Sequence, residues 1–250
     1  MAVKDDRERV IGTAPEGSVD EPSAALAVQR MFDDIAPRYD LLNHVLSMNI
    51  DRLWWWRTAR AFRGTLQKHD ARALDLCCGT GDMAKALRKQ APRAAIVGVD
   101  FSRGMLMRGQ KKFHAYSVSA VEGDALHLPF ADESFDLVLS AFGFRNLANY
   151  NAGLREIYRV LRPEGEIGIL DFSEPGGLLG KLYGFYFRRV LPKIGTFISG
   201  VSGPYLYLPA SVSRFPLPKE MLERMRSIGY AGVGWSPYTF GIAGLYRGRK

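Results

Sequence analysis

The chain has little sulfur chemistry available to it. Its 250 residues include two cysteines, Cys77 and Cys78, and they are adjacent. Neighbours on a strand point to opposite faces, so the pair is poorly placed to form a disulfide. With no second pair elsewhere, it is also a poor zinc site. Two small buried residues at the end of a strand, in a reducing compartment, is the plain reading. Long apolar runs are missing as well. No window reaches the roughly eighteen uninterrupted apolar residues of a membrane span, and the N-terminal "MAVKDDRERV" lacks the apolar core of a signal peptide. The four histidines (His44, His69, His114 and His127) are scattered, so no metal constellation is expected. Acid is scarce relative to base: 34 Lys and Arg face 26 Asp and Glu, a formal net charge of +8. That balance suits anionic partners, whether nucleic acid, an acidic lipid surface or a charged cofactor, and does not choose among them.

What is present is ordinary for a globular protein: 47% apolar and 24% charged residues. A chain this long can bury a single large core without staples. Residues 1–24 are charged, then small and polar, and read as a frayed tail. Residues 25–250 read as one domain. From Ser23 to about Arg63 the apolar spacing is helical, broken at Pro37, with Trp54, Trp55 and Trp56 opening a third helical run. This gives a helical lid over 25–66.

Beyond it, apolar strands alternate with helical segments. "ARALDLC" (71–77), "AAIVGVD" (94–100), "SAVEGDA" (119–125), "FDLVLSAF" (135–142) and "GEIGILDF" (165–172) read as strands. Helices are expected over 82–90, 102–113 and 150–161. This rhythm predicts an α/β fold with a mostly parallel sheet covered on both faces. Residues 176–218 are rich in Gly, Pro and aromatics and read as an insertion with its own helix, functional rather than a simple linker. "PKEMLERMRSIGY" is an amphipathic helix ending at Gly229, and the terminal "VGWSPYTFGIAGLYRGRK" reads as a hairpin.

The chemistry gathers at strand ends. "LDLCCGTGD" places Gly79, Thr80 and Gly81 directly after the first strand, where glycine lets the backbone turn sharply and approach a ligand. The full G-x-G-x-x-G spacing of a dinucleotide site is absent, and G-x-G alone is a weak signal. Asp100, next to Phe101, ends the second strand about twenty residues on, where an acid can hold both ribose hydroxyls. Asp124, beside Ala125, ends the third strand and can accept from an adenine amine. Ser140 lies on the fourth. Ligands bind outside the carboxyl ends of such strands. Asp75, within the first strand and read as facing the turn, would repel phosphate and suit a cationic ligand. The set fits a nucleoside bearing an ammonium or sulfonium group, as S-adenosylmethionine does.

These residues resemble the class I methyltransferases and, more narrowly, the demethylmenaquinone/2-methoxy-polyprenyl-benzoquinol C-methyltransferase family of quinone biosynthesis. The resemblance runs from Met31 to Arg247. It rests on "MFDDIAPRYDLLNHVLSMNIDRLW", "VDFSRGML", "GDALHLPFADESFD", "FGFRNLANYNAGLREIYRVLRPEGE" and "YLYLPASVSRFP" together with the glycine turn. The departures are mild: Cys77-Cys78 for a small residue then Cys, Glu164 for a typical glycine, and Asp171 where glutamate is common.

The resemblance implies a Rossmann-like fold with a seven-stranded sheet. It implies S-adenosylmethionine held at Thr80, Asp100, Asp124, Ala125 and Ser140, and methyl transfer to a ring carbon of a polyprenylated quinol. Demethylmenaquinol heads the candidate acceptors, with the ubiquinone-pathway benzoquinol as the alternative. On this reading Arg145 stabilises charge on a ring oxygen and Asn146 orients one. Against that stands a bland reading, in which Arg145 merely pairs with a nearby acid, Asp33 or Asp34 being the examples. Tyr39, in "APRYD" with Asp40, begins a helix closing over the cofactor and either contacts its methionine part or is a core aromatic. His44 and His127 are weaker candidates for a base.

The aromatic stretch 182–208 could form a channel for the tail, and its Tyr183, Phe185, Tyr186 and Phe187 with Arg188 and Arg189 suit a membrane interface, as does the Trp54–Trp56 run flanked by Arg52 and Arg57; ordinary helix packing is the equal alternative for each. A cytoplasmic protein is expected, with peripheral contact at the inner face of the membrane, no nucleic-acid partner, and dimerisation left open. Three competing readings stay in view. One is a methyltransferase for a soluble or RNA acceptor, which lacks support because "FGFRN" stands where an Asn-Pro-Pro-Tyr type element would serve amino-group acceptors. The others are a non-catalytic scaffold and a nicotinamide dehydrogenase.

Overall fold

A computed structural model of the chain describes residues 12–39, 47, 49–173, 175 and 203–250. Asp40, His44 and the aromatic-basic run Tyr183–Arg189 lie outside the described residues.

Seven strands form one sheet in the order β3-β2-β1-β4-β5-β7-β6. They are β1 (Arg72–Leu76), β2 (Ala95–Asp100), β3 (Ser119–Glu122), β4 (Phe135–Ala141), β5 (Leu161–Phe172), β6 (Ala231–Tyr238) and β7 (Ala243–Arg249). The first five run parallel. β7 pairs antiparallel with β5, and β6 antiparallel with β7, as the terminal hairpin pattern predicts. The helices are α1 (Glu21–Ile35), α2 (Ile50–Ala61), α3 (Arg63–Leu66), α4 (Asp82–Gln90), α5 (Arg103–Ala115), α6 (Tyr150–Val160), α7 (Gly203–Arg214) and α8 (Pro218–Ile228).

The strand order reverses between β1 and β4, whose register sets Asp75 beside Leu139 and Leu76 beside Ser140. In a sheet of this kind the crevice above that reversal is the ligand site. Period-2 alternation supplies two cores. Ala73, Leu137 and Leu139 face Trp54, Phe62, Met83 and Leu87. Leu74, Leu76 and Val138 face Leu154, Ile157, Met221 and Tyr246.

Two boundaries differ from the sequence reading. The described end of the 1–24 segment is tied down: Gly12 N donates to Ala148 O at 2.9 Å and Thr13 N to Leu147 O at 2.8 Å. α1 begins at Glu21, because Asp20 caps it by accepting from Ser23 N at 2.8 Å while the Ser23 hydroxyl accepts from Asp20 N. Pro37 ends α1 in a short 3₁₀ turn over Ala36–Arg38, and Tyr39 follows that turn with helical backbone.

Candidate active site

β1 ends at Leu76 and the chain turns through three left-handed residues, Cys77 (φ 55°), Gly79 (φ 53°) and Gly81 (φ 90°), before α4 begins. The two glycines serve different ends. A Cβ on Gly81 would stand 2.5 Å from the Phe113 ring of α5, so this glycine lets α5 pack under the turn. A Cβ on Gly79 would meet only the Tyr39 ring at 3.8 Å. Gly79 faces open space, the place where a ligand approaches. Cys77, a non-glycine in the left-handed region, is locked by Gly143, where an added Cβ would meet the Cys77 Cβ at 2.3 Å. Burial raises both thiols well above their ordinary values, so neither is a ready nucleophile.

Above this turn lies a cleft of about 710 Å³, partly open to solvent, within the range of small-molecule sites. Asp100 stands at its floor. The carboxylate accepts from Gly79 N at 2.8 Å and from Ser102 N at 2.9 Å, which ties the end of β2 to the glycine turn. Burial pushes its pKa up to about 6, against the lowering effect of those two amides. Asp124 is half exposed at the cleft edge. It accepts from Leu126 N at 2.9 Å and meets His127 Nδ1 at 3.3 Å. Phe101 and Ala125 complete this side of the lining.

The remaining expected cofactor residues do not face the cleft. Asp75 is fully buried beneath the turn, and neither carboxylate oxygen finds a hydrogen-bond partner of good geometry. Desolvation raises its pKa well above normal, opposed in part by the Ala84 amide. It lies below the turn, outside the cleft lining. Thr80 is buried and accepts from Lys112 Nζ at 3.1 Å. Ser140 is buried under Cys77, its hydroxyl approaching that thiol without reaching hydrogen-bond geometry. Both underpin the turn.

The opposite wall is the segment after β4. Phe142, Gly143 and Asn146 line the cleft. Arg145 lies behind them. Its acid partner is Asp171 on β5, neither Asp33 nor Asp34: Arg145 N donates to Asp171 Oδ2 at 3.0 Å and Nη1 to Oδ1 at 2.9 Å. Nη1 also donates to Phe142 O, and the guanidinium lies 5.2 Å above the Phe172 ring. Asp33 is occupied elsewhere, accepting from Ser102 Oγ at 2.6 Å and Gly104 N at 3.1 Å and so joining α1 to α5.

Asn146 is buried and lines the cleft. Its Oδ1 accepts from Tyr207 OH on α7 at 3.0 Å, and Tyr207 OH lies 2.7 Å from Thr13 Oγ1. That fixes the amide so that its N–H side is directed away from Tyr207. The roof is α1 and its 3₁₀ extension. Tyr39 lines the cleft and meets Phe32 edge to face at 6.1 Å. Gln29 Nε2 donates to Phe101 O at 2.6 Å and holds α1 over the end of β2.

Asp171, noted from sequence only as a departure from the family pattern, and Tyr207, Thr13 and Gln29 were not expected at the site. Asp171 carried a signal, an acid inside an apolar strand like Asp75. Tyr207 lies 61 residues beyond Asn146, Thr13 joins it only through Tyr207 across 194 residues, and Gln29 reaches a backbone carbonyl 72 residues on, so nothing local marks them. Among the described residues no group of three or more His, Cys, Asp or Glu is placed to hold a metal ion. His127 is exposed, outside the cleft lining.

The residues present fit a nucleoside carrying a positive group: open backbone at Gly79, acids at the ends of β2 and β3, and a buried apolar floor. The solved structures agree on the class. A methyltransferase from Thermotoga maritima, titled a possible histamine N-methyltransferase, superposes with a TM-score of 0.63 at 20% identity over 88% of this chain and 99% of that one. The [4+2]-cyclase SpnF does so with a TM-score of 0.67 at 16% identity over 96% and 98%. At these identities the likeness speaks for the fold, that of the Rossmann-like S-adenosylmethionine-dependent methyltransferases.

The family follows from sequence. The model of the ubiE/COQ5 methyltransferase family matches residues 19–250. The chain is 47% identical to the demethylmenaquinone methyltransferase of Deinococcus radiodurans, over 92% of this chain and 95% of that protein. It is 46% identical to the enzyme of the same name from Thermus thermophilus, over 88% and 100%. It is 43% identical to the ubiquinone/menaquinone biosynthesis C-methyltransferase of Geobacter sulfurreducens, over 89% and 88%. This chain belongs to the ubiE/COQ5 methyltransferase family and is a methyltransferase.

Proposed function

We propose that the chain methylates a ring carbon of a polyprenylated quinol in quinone biosynthesis, converting demethylmenaquinol to menaquinol. The relatives named above support the reaction class, and those from Deinococcus and Thermus favour the naphthoquinol acceptor. The ubiquinone-pathway benzoquinol is the second acceptor to test, because the Geobacter relative carries both pathways in its name. The observation that carries the reading is the pairing of walls: acids at the ends of β2 and β3 on one side of the cleft, Asn146 on the other.

S-adenosylmethionine, when bound, supplies a methyl already activated on a positive sulfur. Gly79 gives its backbone room. Asp100 holds the ribose hydroxyls, and Asp124 with the backbone at Ala125 receives the adenine edge. Tyr39 closes the roof and limits water, which keeps the reacting groups aligned. Asn146 donates to a ring oxygen of the acceptor. Arg145 acts from behind the wall. Its charge, shared with Asp171, sets the field where that oxygen becomes more negative, and its bond to Phe142 O holds the wall in place. Asp75, Thr80, Gly81 and Ser140 keep the turn rigid from beneath.

On this reading the enzyme works in the cytoplasm against the inner face of the membrane, because its acceptor carries a lipid-like tail. The test is methyl transfer from labelled S-adenosylmethionine to reduced demethylmenaquinone and to the demethylated benzoquinol, side by side. Transfer to the naphthoquinol supports the main reading, and transfer to the benzoquinol alone replaces it. Cofactor binding with neither product would leave the fold and the family standing and remove the acceptor assignment.

A further inference from the structure

One face of α2 is buried and the other is exposed. Its Asp51, Trp54, Thr58 and Ala59 face the protein. Trp54 packs on Phe142 and Phe172, and its Nε1 donates to Thr239 Oγ1 at 2.8 Å. The outward face carries two large apolar side chains, Leu53 at 50% and Trp56 at 46% exposure, at the i, i+3 spacing that makes them neighbours. Around them stand Arg52, Arg57 and Arg60, all exposed.

The flanks continue the same character. On one side Arg52, Trp55 and Trp56 share a groove with Lys85 and Lys89 of α4. On the other, Arg57 lies 4.3 Å over the Tyr238 ring, which leads into the β6–β7 turn. That turn runs Thr239 (φ 44°), Phe240 (φ 58°), Gly241 (φ 88°). Phe240 stands at 82% exposure in a left-handed conformation that a bulky residue adopts only against steric resistance. Folding gains nothing from an aromatic ring held there. A ligand outside the protein can.

We propose that this face, the outer side of α2 with the Phe240 turn, docks on an anionic bilayer surface. Phe240, Leu53 and Trp56 enter the boundary between headgroups and acyl chains, and the arginines and lysines sit among the anionic headgroups. Apolar residues ringed by cations are the pattern of an interfacial element. The net charge of +8 adds long-range attraction. Position supports the occupant. β7 starts at Ala243 opposite Phe172, the carboxyl end of β5, so the turn lies on the cleft edge of the sheet. One ring, Trp54, separates the outer face of α2 from Phe142 of the cleft wall. A bilayer seated here lies beside the site where a tailed acceptor would enter. The choice of a lipid surface rests in part on the quinol reading above.

The test is flotation of the full chain with phosphatidylcholine vesicles, with and without phosphatidylglycerol. Binding is expected only with the anionic lipid and should fall as salt rises. Phe240→Asn keeps a residue suited to the left-handed turn and should fold as well as the parent while binding roughly tenfold more weakly. Leu53→Asn should act in the same direction, and the double change Arg52→Gln with Lys89→Gln should abolish the anionic preference. Met107→Asn, at an apolar residue 67% exposed on α5, should bind like the parent.

Equal binding by the parent and Phe240→Asn, or no binding by the parent, would overturn the proposal. So would a dimer in sedimentation that Phe240→Asn converts to monomer without any vesicle binding, since a second copy would then be the occupant. Flotation needs no methyl transfer, so its outcome is separate from that of the acceptor assay. Methylation of a short-chain, water-soluble quinol should be the same for Phe240→Asn and the parent.

Discussion

Arg145 and Asp171 hold each other through two contacts, the Arg145 amide to Oδ2 at 3.0 Å and the guanidinium to Oδ1 at 2.9 Å. The carboxylate thus binds both the backbone and the side chain of one residue. It sets where the Phe142–Asn146 wall stands relative to β5, and both partners are buried. Removing one partner leaves a buried charge alone. Asp171→Leu or Arg145→Met should therefore each cost about 3–5 kcal/mol in urea unfolding. The double change, Arg145→Met with Asp171→Leu, should recover most of that stability. It should not recover methyl transfer. A double variant that is both stable and active would reduce the pair to a scaffold contact.

Tyr207 orients Asn146. Tyr207→Phe removes the hydroxyl between Asn146 Oδ1 and Thr13 Oγ1 and frees the amide to turn over. A hydrogen bond of this kind is worth about 1 kcal/mol. The expected result is a several-fold loss in kcat/KM for the quinol with S-adenosylhomocysteine affinity unchanged. Calorimetric titration with S-adenosylhomocysteine, run alongside steady-state kinetics, separates the two. Equal loss in both would point to a collapse of the whole cleft.

Asp100 should give the ligand-free protein a pH dependence. Its folded pKa is raised to about 6, chiefly by burial. The unfolded chain ionises near 4 and the folded one does not, so this group lowers stability as pH rises from about 4 to about 6. The full penalty, about 3 kcal/mol, is present above that window. Ligand binding has the opposite sense, since ribose hydroxyls need the ionised acceptor. S-adenosylhomocysteine affinity should fall as pH drops through about 6, and Asp100→Asn should weaken it at every pH.

Asp75 acts in the same direction from its buried place beneath the turn. Its raised pKa means that at neutral pH the unfolded state ionises freely while the buried carboxyl resists. Asp75→Asn should therefore stabilise the protein at pH 7 and change little at pH 3, below the range where the unfolded acid ionises. Thermal melts at the two pH values check it. Loss of stability at pH 7 would mean the carboxylate has a charged partner in solution.

The two glycines of the turn should separate cleanly. Gly79→Ala meets only Tyr39 at 3.8 Å, so its cost is the left-handed backbone alone, about 1–2 kcal/mol. S-adenosylhomocysteine affinity should drop sharply, because the methyl enters the ligand's space. Gly81→Ala adds a 2.5 Å clash with Phe113, an overpacking of about 1–3 kcal/mol beyond the backbone term. It should show mainly as lost stability.

Much of this was legible along the chain. The alternation of apolar strands and amphipathic helices named every element of the parallel sheet to within a few residues, because each pattern is local and periodic. α4 runs from Asp82 to Gln90 as expected. The acids at the ends of β2 and β3 were legible for the same reason: a strand end can be counted. The burial of Asp75 and Ser140 was not legible, since the count places a residue on a strand without saying which face is covered. Asp171 was visible as an oddity but had no role until β5 was laid against β4.

Sequence by itself determined the fold class, the position of the glycine turn and the family. These depend on spacing along one strand or helix, which the backbone's own periods impose. Only the tertiary structure decided which acids meet open space and which stay covered. It also gave Arg145 its partner 26 residues on and Asn146 its partner 61 residues on. It put Phe240 beside α2, roughly 180 residues earlier in the chain. Such pairings come from strand order and helix packing, in which residues far apart in sequence share one buried surface.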